Sequence, residues 1–248
     1  MMNGCSFTAD SGFKKENLYQ HWPNIFKQHY DCNLTNLAVG GSSNEEIFYR
    51  TLENVSTQQY DLVIIMWSSV NRKWIYHNQN NVDDFTIINN LNLTGFNHSS
   101  PEVNKYANLH YRYFANEYID LKRWLLQINA LDRVLKNLNI PHIFIKGFEN
   151  HLNSISSIKY ESGFIGTTDS VKEFLDFKNR PDDYILEKIY ALQKLIDIID
   201  QNCWLNFTSE AFADFQTDLA DDLSHPGPIA NQHLAKNLID FCQLKKLL

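Results

Sequence analysis

Uninterrupted apolar runs and helical patterns alternate along this chain of 248 residues. The clearest run extends from Asp61 to Trp67, where apolar residues follow a single acid without a break. This pattern predicts a strand that is covered on both faces. Ile140 to Gly147 and the shorter segment Cys203 to Asn206 predict two further buried strands. Strands of this kind are typical of a parallel sheet that lies between two layers of helices.

Amphipathic helical patterns separate the predicted strands. They cover residues 16–30, 45–58, 118–138 and 184–199, and a last helix follows Gly227 with Ile229, Leu234, Leu238 and Phe241 on one side. Strands that alternate with helices predict an α/β fold, namely a doubly wound three-layer sandwich with a central parallel sheet. Only three residues precede the turn at Gly4-Cys5-Ser6, so the first strand is very short or the natural chain begins earlier.

Two segments interrupt this alternation. Residues 77–114 are rich in Asn and Tyr, residues 151–180 are rich in Ser, Gly and Phe, and both are longer than ordinary connections. We predict that they are insertions in a single domain over residues 1–248. Such insertions are either lids and pocket walls or disordered surface loops.

The composition narrows the choice of partners. The net charge of −7 and the isoelectric point near 5.7 argue against nucleic acids and anionic membranes, which attract clusters of Lys and Arg. No metal or other cofactor is expected, because the cysteines lack the short spacings of a zinc or redox motif. They are Cys5, Cys32, Cys203 and Cys242. Without a membrane span or a secretory signal, we expect a cytoplasmic protein that acts on a small molecule or a saccharide.

Two short motifs at opposite ends of the chain could carry chemistry. Ser6 follows a glycine at the predicted turn out of the first strand, which would expose its hydroxyl at the carboxyl edge of the sheet. Asp222 and His225 are three residues apart, a spacing at which a carboxylate can hold Nδ1 of the imidazole and leave Nε2 as a base. No other histidine in the sequence follows an acid at this spacing, and Asp221 is expected to be a solvated neighbour. Each motif alone also suits an ordinary turn.

Two further segments would bring polar groups to the same edge. Gly41 stands at the start of a predicted helix, where a backbone N–H can bind an anion, and Ser43 with Glu46 predicts a capping box. Ser68-Ser69-Val70-Asn71 follows the strand at residues 61–67. Both segments are equally typical of polar turns.

Taken in order, these four segments resemble the sequence blocks of the SGNH (GDSL-like) hydrolase family. Gly4 to Thr8 is similar to the Gly-Asp-Ser-Leu block with Cys5 in place of the acid, Asn36 to Gly41 resembles the second block, and Asp222 to His225 resembles the last. The resemblance implies a flavodoxin-like SGNH fold with Ser6 as nucleophile, His225 as general base and Asp222 as the residue that orients it. It also implies the N–H groups of Ser6 and Gly41 as oxyanion donors.

The third block departs from the family pattern. The asparagine that binds the oxyanion in the family falls on Val70, one residue before Asn71. We assign Asn71 as the third oxyanion donor through a bulge, with Ser68 and Ser69 as substitutes.

The resemblance implies hydrolysis of carboxylic esters, such as O-acetyl groups on a carbohydrate or small acyl esters, through an acyl-enzyme on Ser6. The alternatives are an inactive binding module on the same fold and an acyltransferase that uses a sugar hydroxyl as acceptor. A thiol enzyme is disfavoured, because Cys5 precedes the nucleophile and should point back toward the sheet. Five aromatic residues are expected either to line a pocket and stack on sugar rings or to pack in the core or a lid. They are Trp67, Trp74, Tyr76, Tyr111 and Tyr113.

Overall fold

The computed structural model describes residues 1–79, 82–88, 100–148, 182–206, 211–215 and 218–248. Its backbone contacts divide the chain into two compact units. The first unit comprises Met1–Ser69, Leu131–Glu149 and Asp200–Leu248, and the second comprises Val70–Ala130 and Asn150–Ile199. The single domain stays a prediction, and the insertion predicted at residues 151–180 lies outside the described residues.

Strands and helices alternate through the described part of the chain. The strands are β1 (Met2–Asn3), β2 (Val63–Trp67), β3 (Lys73–Gln79), β4 (Val82–Ile88) and β5 (His142–Lys146). The α-helices are α1 (Trp22–Tyr30), α2 (Asn44–Thr57), α3 (Pro101–Leu109), α4 (Glu117–Asn137), α5 (Asp182–Asp197) and α6 (Pro228–Lys245). Short 3₁₀-helices cover Lys15–Gln20, Gln201–Cys203 and Phe212–Phe215, and a π-helical turn covers His110–Phe114. The predicted α/β fold with a parallel sheet is confirmed.

A parallel sheet with the order β1-β2-β5 lies at the centre of the first unit. Isolated parallel bridges extend it at both edges, from Met2 to Asn36 and from Phe144 to Trp204. Across the sheet the segments are therefore Asn36, β1, β2, β5 and Trp204. Numbered by their position along the chain and without the hairpin of β3 and β4, they have the order 2-1-3-4-5, which is that of flavodoxin-like folds. The direction of winding changes between β1 and β2. Folds of this class bind ligands beyond the carboxyl ends of the strands at this switch point.

Helices α1 and α6 cover one face of the sheet. Trp22 and Phe26 of α1 and Leu234 of α6 belong to the same apolar cluster as Ile64 and Met66 of β2. Ile64 and Met66 share this face because alternate residues of a strand point the same way. Both β2 and β5 are buried along their whole length, as the uninterrupted apolar runs predict.

Two helix predictions are wrong in detail. Residues 16–30 form two segments, because His21 is extended and α1 begins only at Trp22. Pro23 has no N–H to donate and is tolerated only in the first turn of a helix, so α1 starts beside it. Ile229, predicted for the buried side of the last helix, is 61% exposed. The buried side of α6 instead runs through Ala230, Asn231, Leu234, Ala235, Leu238 and Cys242.

In the second unit, β3 and β4 form an antiparallel hairpin in which Lys73 pairs with Ile88. Ile75 of β3 packs against Val103 and Ala107 of α3. The described parts of the insertion predicted at residues 77–114 therefore contain regular structure. None of the described helices combines the length and the apolar character needed to cross a membrane.

Candidate active site

Ser6 lies in a turn directly beyond the carboxyl end of β1, which we call the N-terminal turn (residues 4–9). The carbonyl of Cys5 accepts a hydrogen bond from the N–H of Ala9 (2.9 Å), so the chain coils immediately after the strand. Gly4 leaves little room for a side chain, because a Cβ atom there would lie 2.4 Å from Oγ1 of Thr8 and 3.0 Å from the carbonyl oxygen of Met66. Cys5 is fully buried and Ser6 is half-buried, which disfavours the thiol alternative.

The candidate general base, His225, lies on a loop whose two ends are bonded to each other. We call it the base loop (residues 218–227). Leu219 and Pro226 form an antiparallel bridge, and the N–H of Gly227 donates to the carbonyl of Asp218 (2.9 Å). The Asp218 carboxylate accepts two further hydrogen bonds, of 2.8 and 3.0 Å, from N–H groups in the first turn of α6. A carboxylate at this end of a helix is also stabilised by the helix dipole. The base loop is thus fixed to the start of α6.

Within the base loop, Asp222 Oδ2 lies 2.5 Å from Nδ1 of His225. Its Oδ1 accepts the N–H groups of Ser224 (3.0 Å) and His225 (3.1 Å), and Ser224 Oγ donates to Oδ2 (2.9 Å). Burial acts to raise the pKa of Asp222, but these hydrogen bonds outweigh it and hold the pKa well below its usual range. A charged carboxylate at this place keeps the imidazole proton on Nδ1, so Nε2 offers its lone pair.

The N-terminal turn and the base loop meet at Phe7 and His225. The ring of Phe7, the residue after Ser6, meets the imidazole edge to face with the centroids 6.0 Å apart. Gly12 packs against the same histidine, since a Cβ atom on it would lie 2.8 Å from the Cβ of His225. Its φ of +87° also favours glycine, and its carbonyl accepts the N–H of Asp222 (3.2 Å). The structure therefore brings the two ends of the chain together.

A buried hydrogen-bond network links the same two segments. The carbonyl of Phe7 accepts a hydrogen bond from the indole N–H of Trp22 (2.7 Å). The backbone N–H of Trp22 donates to Oδ1 of Asn231 (3.1 Å), and Nδ2 of Asn231 donates to the carbonyls of Pro226 and Gly227, both at 2.9 Å. Asn231 is 2% exposed, so these bonds satisfy an amide that has no access to water. Asn231 was not among the predicted site residues, and its only signal in the sequence is an amide on the apolar side of α6.

His21 makes a further contact with the N-terminal turn. Its Nε2 lies 3.2 Å from the carbonyl oxygen of Phe7, and its Nδ1 lies 3.5 Å from Oδ1 of Asp10. The hydrogen bond from His21 is the largest cause that lowers the pKa of Asp10. His21 is buried with both nitrogens directed at oxygen atoms, so it supports the turn.

The loop of the second block lies beside Ser6. A Cβ atom on Gly40 would be 4.0 Å from the Cβ of Ser6, and Gly41 follows with a φ of +84°. The side chain of Asn36 holds this segment against the N-terminal turn by donating to the carbonyl of Thr8 (2.8 Å). The predicted donor Gly41 is therefore one residue from a direct neighbour of Ser6.

Helix α2 begins immediately after this loop. Ser43 Oγ accepts the N–H of Glu46 (3.2 Å), which confirms the predicted cap. The reciprocal half of the capping box is wrong, because the carboxylate of Glu46 pairs with Arg50 one turn further along α2.

The third block is fixed by the side-chain amide of Asn44, which was also not among the predicted site residues. Asn44 Oδ1 accepts the N–H of Ser68 (2.6 Å), and its Nδ2 donates to the carbonyl of Ser68 (3.0 Å). Val70 is buried. Asn71 belongs to the second unit, where its carbonyl accepts the hydroxyl of Tyr111 (2.6 Å), and burial raises the pKa of Tyr111. The role of Asn71 as an oxyanion donor stays a prediction.

Aromatic side chains pack around Phe7, whose ring meets the imidazole, although they are not the predicted ones. Phe7 stacks on Phe148 with the centroids 4.8 Å apart and meets Phe212 edge to face at 5.7 Å. Trp67 is a core residue that packs edge to face on Phe144 at 5.6 Å. Of the other predicted aromatic residues, Tyr113 is exposed and the side chain of Tyr76 lies outside the described structure.

Asp221 was predicted to be a solvated neighbour of Asp222. It is exposed, but its carboxylate accepts hydrogen bonds from the N–H of Lys14 (2.8 Å) and from Nδ2 of Asn17 (2.9 Å). These hydrogen bonds lower the pKa of Asp221, and the bond from Asn17 has the larger effect. It therefore joins the base loop to the segment that precedes α1.

Comparisons with known proteins bear on the family and the fold. The sequence profile of a family of unknown function, DUF6071, matches residues 6–192. The match includes Ser6 and ends before the base loop. No curated protein is significantly similar in sequence to the chain.

Solved structures resemble the chain over its whole length. The crystal structure of TesA is 12% identical, with 100% of this chain and 98% of that chain covered and a TM-score of 0.50. The psychrotrophic esterase EstA from Pseudoalteromonas sp. is 11% identical over 98% and 94% of the chains, with a TM-score of 0.48. A protein assigned to the G-D-S-L lipolytic family, from Desulfitobacterium hafniense DCB-2, is 14% identical over 97% of each chain, with a TM-score of 0.45. At these identities the likeness to TesA shows a shared fold alone.

Proposed function

The chain belongs to DUF6071, a family of unknown function, and from its candidate site we propose that it is an SGNH-type serine hydrolase that cleaves carboxylic esters. The observation that carries the proposal is the Asp222–His225 pair, which lies against the turn that bears Ser6. This pair occupies Nδ1 of the imidazole and leaves Nε2 for proton transfer. The order of the four sequence blocks supports the same assignment.

In the proposed reaction, Nε2 of His225 removes the proton of Ser6 Oγ as this oxygen attacks the ester carbonyl carbon, because a serine hydroxyl alone is a poor nucleophile. The N–H groups of Ser6 and Gly41 bind the oxyanion that forms. The imidazolium, stabilised by the charge of Asp222, then protonates the departing alcohol. Water, deprotonated by His225, then attacks the acyl carbon, the bond from this carbon to Ser6 Oγ breaks, and the imidazolium returns its proton to Oγ as the carboxylic acid leaves.

The contacts of the N-terminal turn support this division of roles. The proximity of Gly40 to Ser6 favours Gly41 as an oxyanion donor, because a donor must reach the oxygen that develops beside the nucleophile. The network through Asn231 supports a fixed distance between the hydroxyl and the imidazole. Proton transfer depends on such alignment, since small misplacements reduce rates strongly.

The first prediction is that Ser6→Ala abolishes hydrolysis of p-nitrophenyl acetate and labelling by a fluorophosphonate. The loss in kcat/KM should be roughly 10⁴-fold or more, because no other group can form the acyl-enzyme. Ser11→Ala is the matched control, since Ser11 also lies near Gly40 but has no proposed role. Circular dichroism verifies that both variants fold.

Three outcomes decide between the functions considered. Undiminished turnover in Ser6→Ala, or a label mapped to another residue, contradicts the proposed mechanism. A folded wild-type protein that neither hydrolyses esters nor reacts with the label would contradict the proposed function and favour the inactive binding module. Product analysis with and without a saccharide acceptor separates hydrolysis from acyl transfer, because both pass through the same acyl-enzyme.

A further inference from the structure

A second group of reactive side chains lies at the amino edge of the same sheet, at the opposite end of the strands from Ser6. His142 is the first residue of β5, Asp132 lies on α4, and Cys203 immediately precedes the bridge at Trp204. All three side chains are buried. Each offers one metal-binding atom, and within the described residues these atoms lie within 4.8 Å of one another.

The distances in this group suit a small divalent ion. Oδ1 of Asp132 lies 2.9 Å from Nε2 of His142 and 3.9 Å from Sγ of Cys203. Ligand atoms on a tetrahedral zinc ion are about 3 to 4 Å apart, given metal–ligand distances of about 2.0 to 2.3 Å. One carboxylate, one imidazole and one thiolate form a donor set that zinc accepts.

The hydrogen bonds of His142 point to a cation at Nε2. Its Nδ1 lies 3.2 Å from the carbonyl oxygen of Ile140, which can only accept, so Nδ1 carries a proton. The lone pair of Nε2 in the neutral ring would then face Oδ1 of Asp132, and two lone pairs at 2.9 Å repel. Either a second proton or a metal ion lies between them. A histidine that ligates a metal commonly donates its other N–H to a backbone carbonyl, as His142 does.

The charges around the group favour a divalent ion. The ammonium of Lys136 is shared by Oδ2 of Asp132 (3.0 Å) and Oδ2 of Asp200 (2.7 Å), so these three groups carry one negative charge. The thiol of Cys203 donates a hydrogen bond to the carbonyl of Asp200 (2.9 Å). A divalent ion that displaces the thiol proton would bring the net charge of the group to zero. Oδ1 of Asp132 stays available, because Lys136 occupies the other oxygen.

We propose that Asp132, His142 and Cys203 form a structural binding site for one zinc-type divalent ion. The ion would join the last turns of α4 to the start of β5 and to the segment before Trp204. The site is at the amino edge of the sheet, so it plays no part in ester hydrolysis.

The test is titration of the chelator-treated full chain with Co²⁺ and Zn²⁺. We expect one equivalent of Co²⁺ to produce the near-ultraviolet absorption of a thiolate–cobalt bond, and Zn²⁺ to displace it and raise Tm. Cys203→Ser should remove the thiolate band and weaken Zn²⁺ binding by at least about 100-fold. Cys32→Ser is the control, because this thiol lies elsewhere in the first unit.

Two results would overturn the proposal. Absence of stoichiometric binding by the folded wild-type protein would mean that a proton occupies the position between His142 and Asp132. A thiolate band that persists in Cys203→Ser would place the metal elsewhere. Since the wild-type titration needs no variant to fold and no esterase assay, it decides this proposal independently of the proposed function.

Discussion

Two histidine–aspartate pairs of the first unit contain the same groups and offer different chemistry. In the base loop, Asp222 engages Nδ1 of His225, and the side chains are 35% and 24% exposed. At the amino edge, Asp132 engages Nε2 of His142, whose Nδ1 faces a carbonyl, and the side chains are 11% and 4% exposed. The first arrangement leaves one nitrogen to exchange protons with a substrate. The second directs both nitrogens at protein atoms, which suits a structural role.

Among the variants that compare the two pairs, Asp222→Asn should have the largest effect, which is on activity. An amide at this position cannot stabilise the imidazolium and favours the wrong tautomer, so kcat should fall by about 10⁴-fold in an esterase assay. Tm should change little, because the pair is partly exposed and such pairs contribute at most about 1 kcal/mol. Asp221→Asn is the neighbouring control and should lose no more than a few-fold. Equal losses in the two variants would contradict the assignment of Asp222.

For the amino-edge pair we expect the reverse pattern. Asp132→Asn should leave kcat unchanged but lower the free energy of unfolding of the metal-free protein by about 2 kcal/mol, because it removes the charge that His142 and Lys136 face in a buried site. Denaturant unfolding in the presence of a chelator measures this difference. Asp240→Asn, which loses an exposed pair with Lys236, should cost no more than about 0.5 kcal/mol. A large loss of kcat in Asp132→Asn would mean that the two pairs are coupled.

The smallest effect concerns the hydrogen-bond network through Asn231. This network connects the base loop to the N-terminal turn and has no counterpart in the proposed role of the amino-edge pair. Asn231→Ala removes the bonds to Trp22, Pro226 and Gly227, so the imidazole should lose its alignment with Ser6. We expect about a tenfold slower fluorophosphonate labelling well below Tm, by analogy with other misaligned sites. Asn237→Ala on the same helix is the control. A variant that loses stability but labels at the wild-type rate would reduce Asn231 to a packing role.

The fold was predictable where one physical requirement dominates the local sequence. β2 is recognisable because a strand covered on both faces has to be apolar throughout. The continuous helix predicted at residues 16–30 is wrong. The amphipathic pattern persists through Pro23, but a proline has no N–H and is not tolerated in the interior of a helix. The exposure of Ile229 could not be read from the pattern either, since it depends on where Asp218 fixes the first turn of α6.

The candidate site was predictable only through motifs that are short in sequence. Asp222 and His225 belong to one turn, so their spacing carries information. Asn44 binds Ser68 and Asn231 binds Trp22, both distant in sequence, and the only local signal is the position of Asn231 on the apolar side of α6. The amino-edge group is similarly hidden, because Asp132 is ten residues from His142 and 71 from Cys203. Hence the expectation of no metal rested on cysteine spacing alone.

The closure of the base loop by Asp218 has an evolutionary consequence. Asp218 binds Gly227 and the opening turn of α6, and the Leu219–Pro226 bridge lies directly inside these bonds, so the two ends of the loop are held to each other. Insertions or deletions upstream of Asp218 would be absorbed before they reach the imidazole. Related chains can accordingly diverge in the preceding region while they inherit the same proton-transfer geometry.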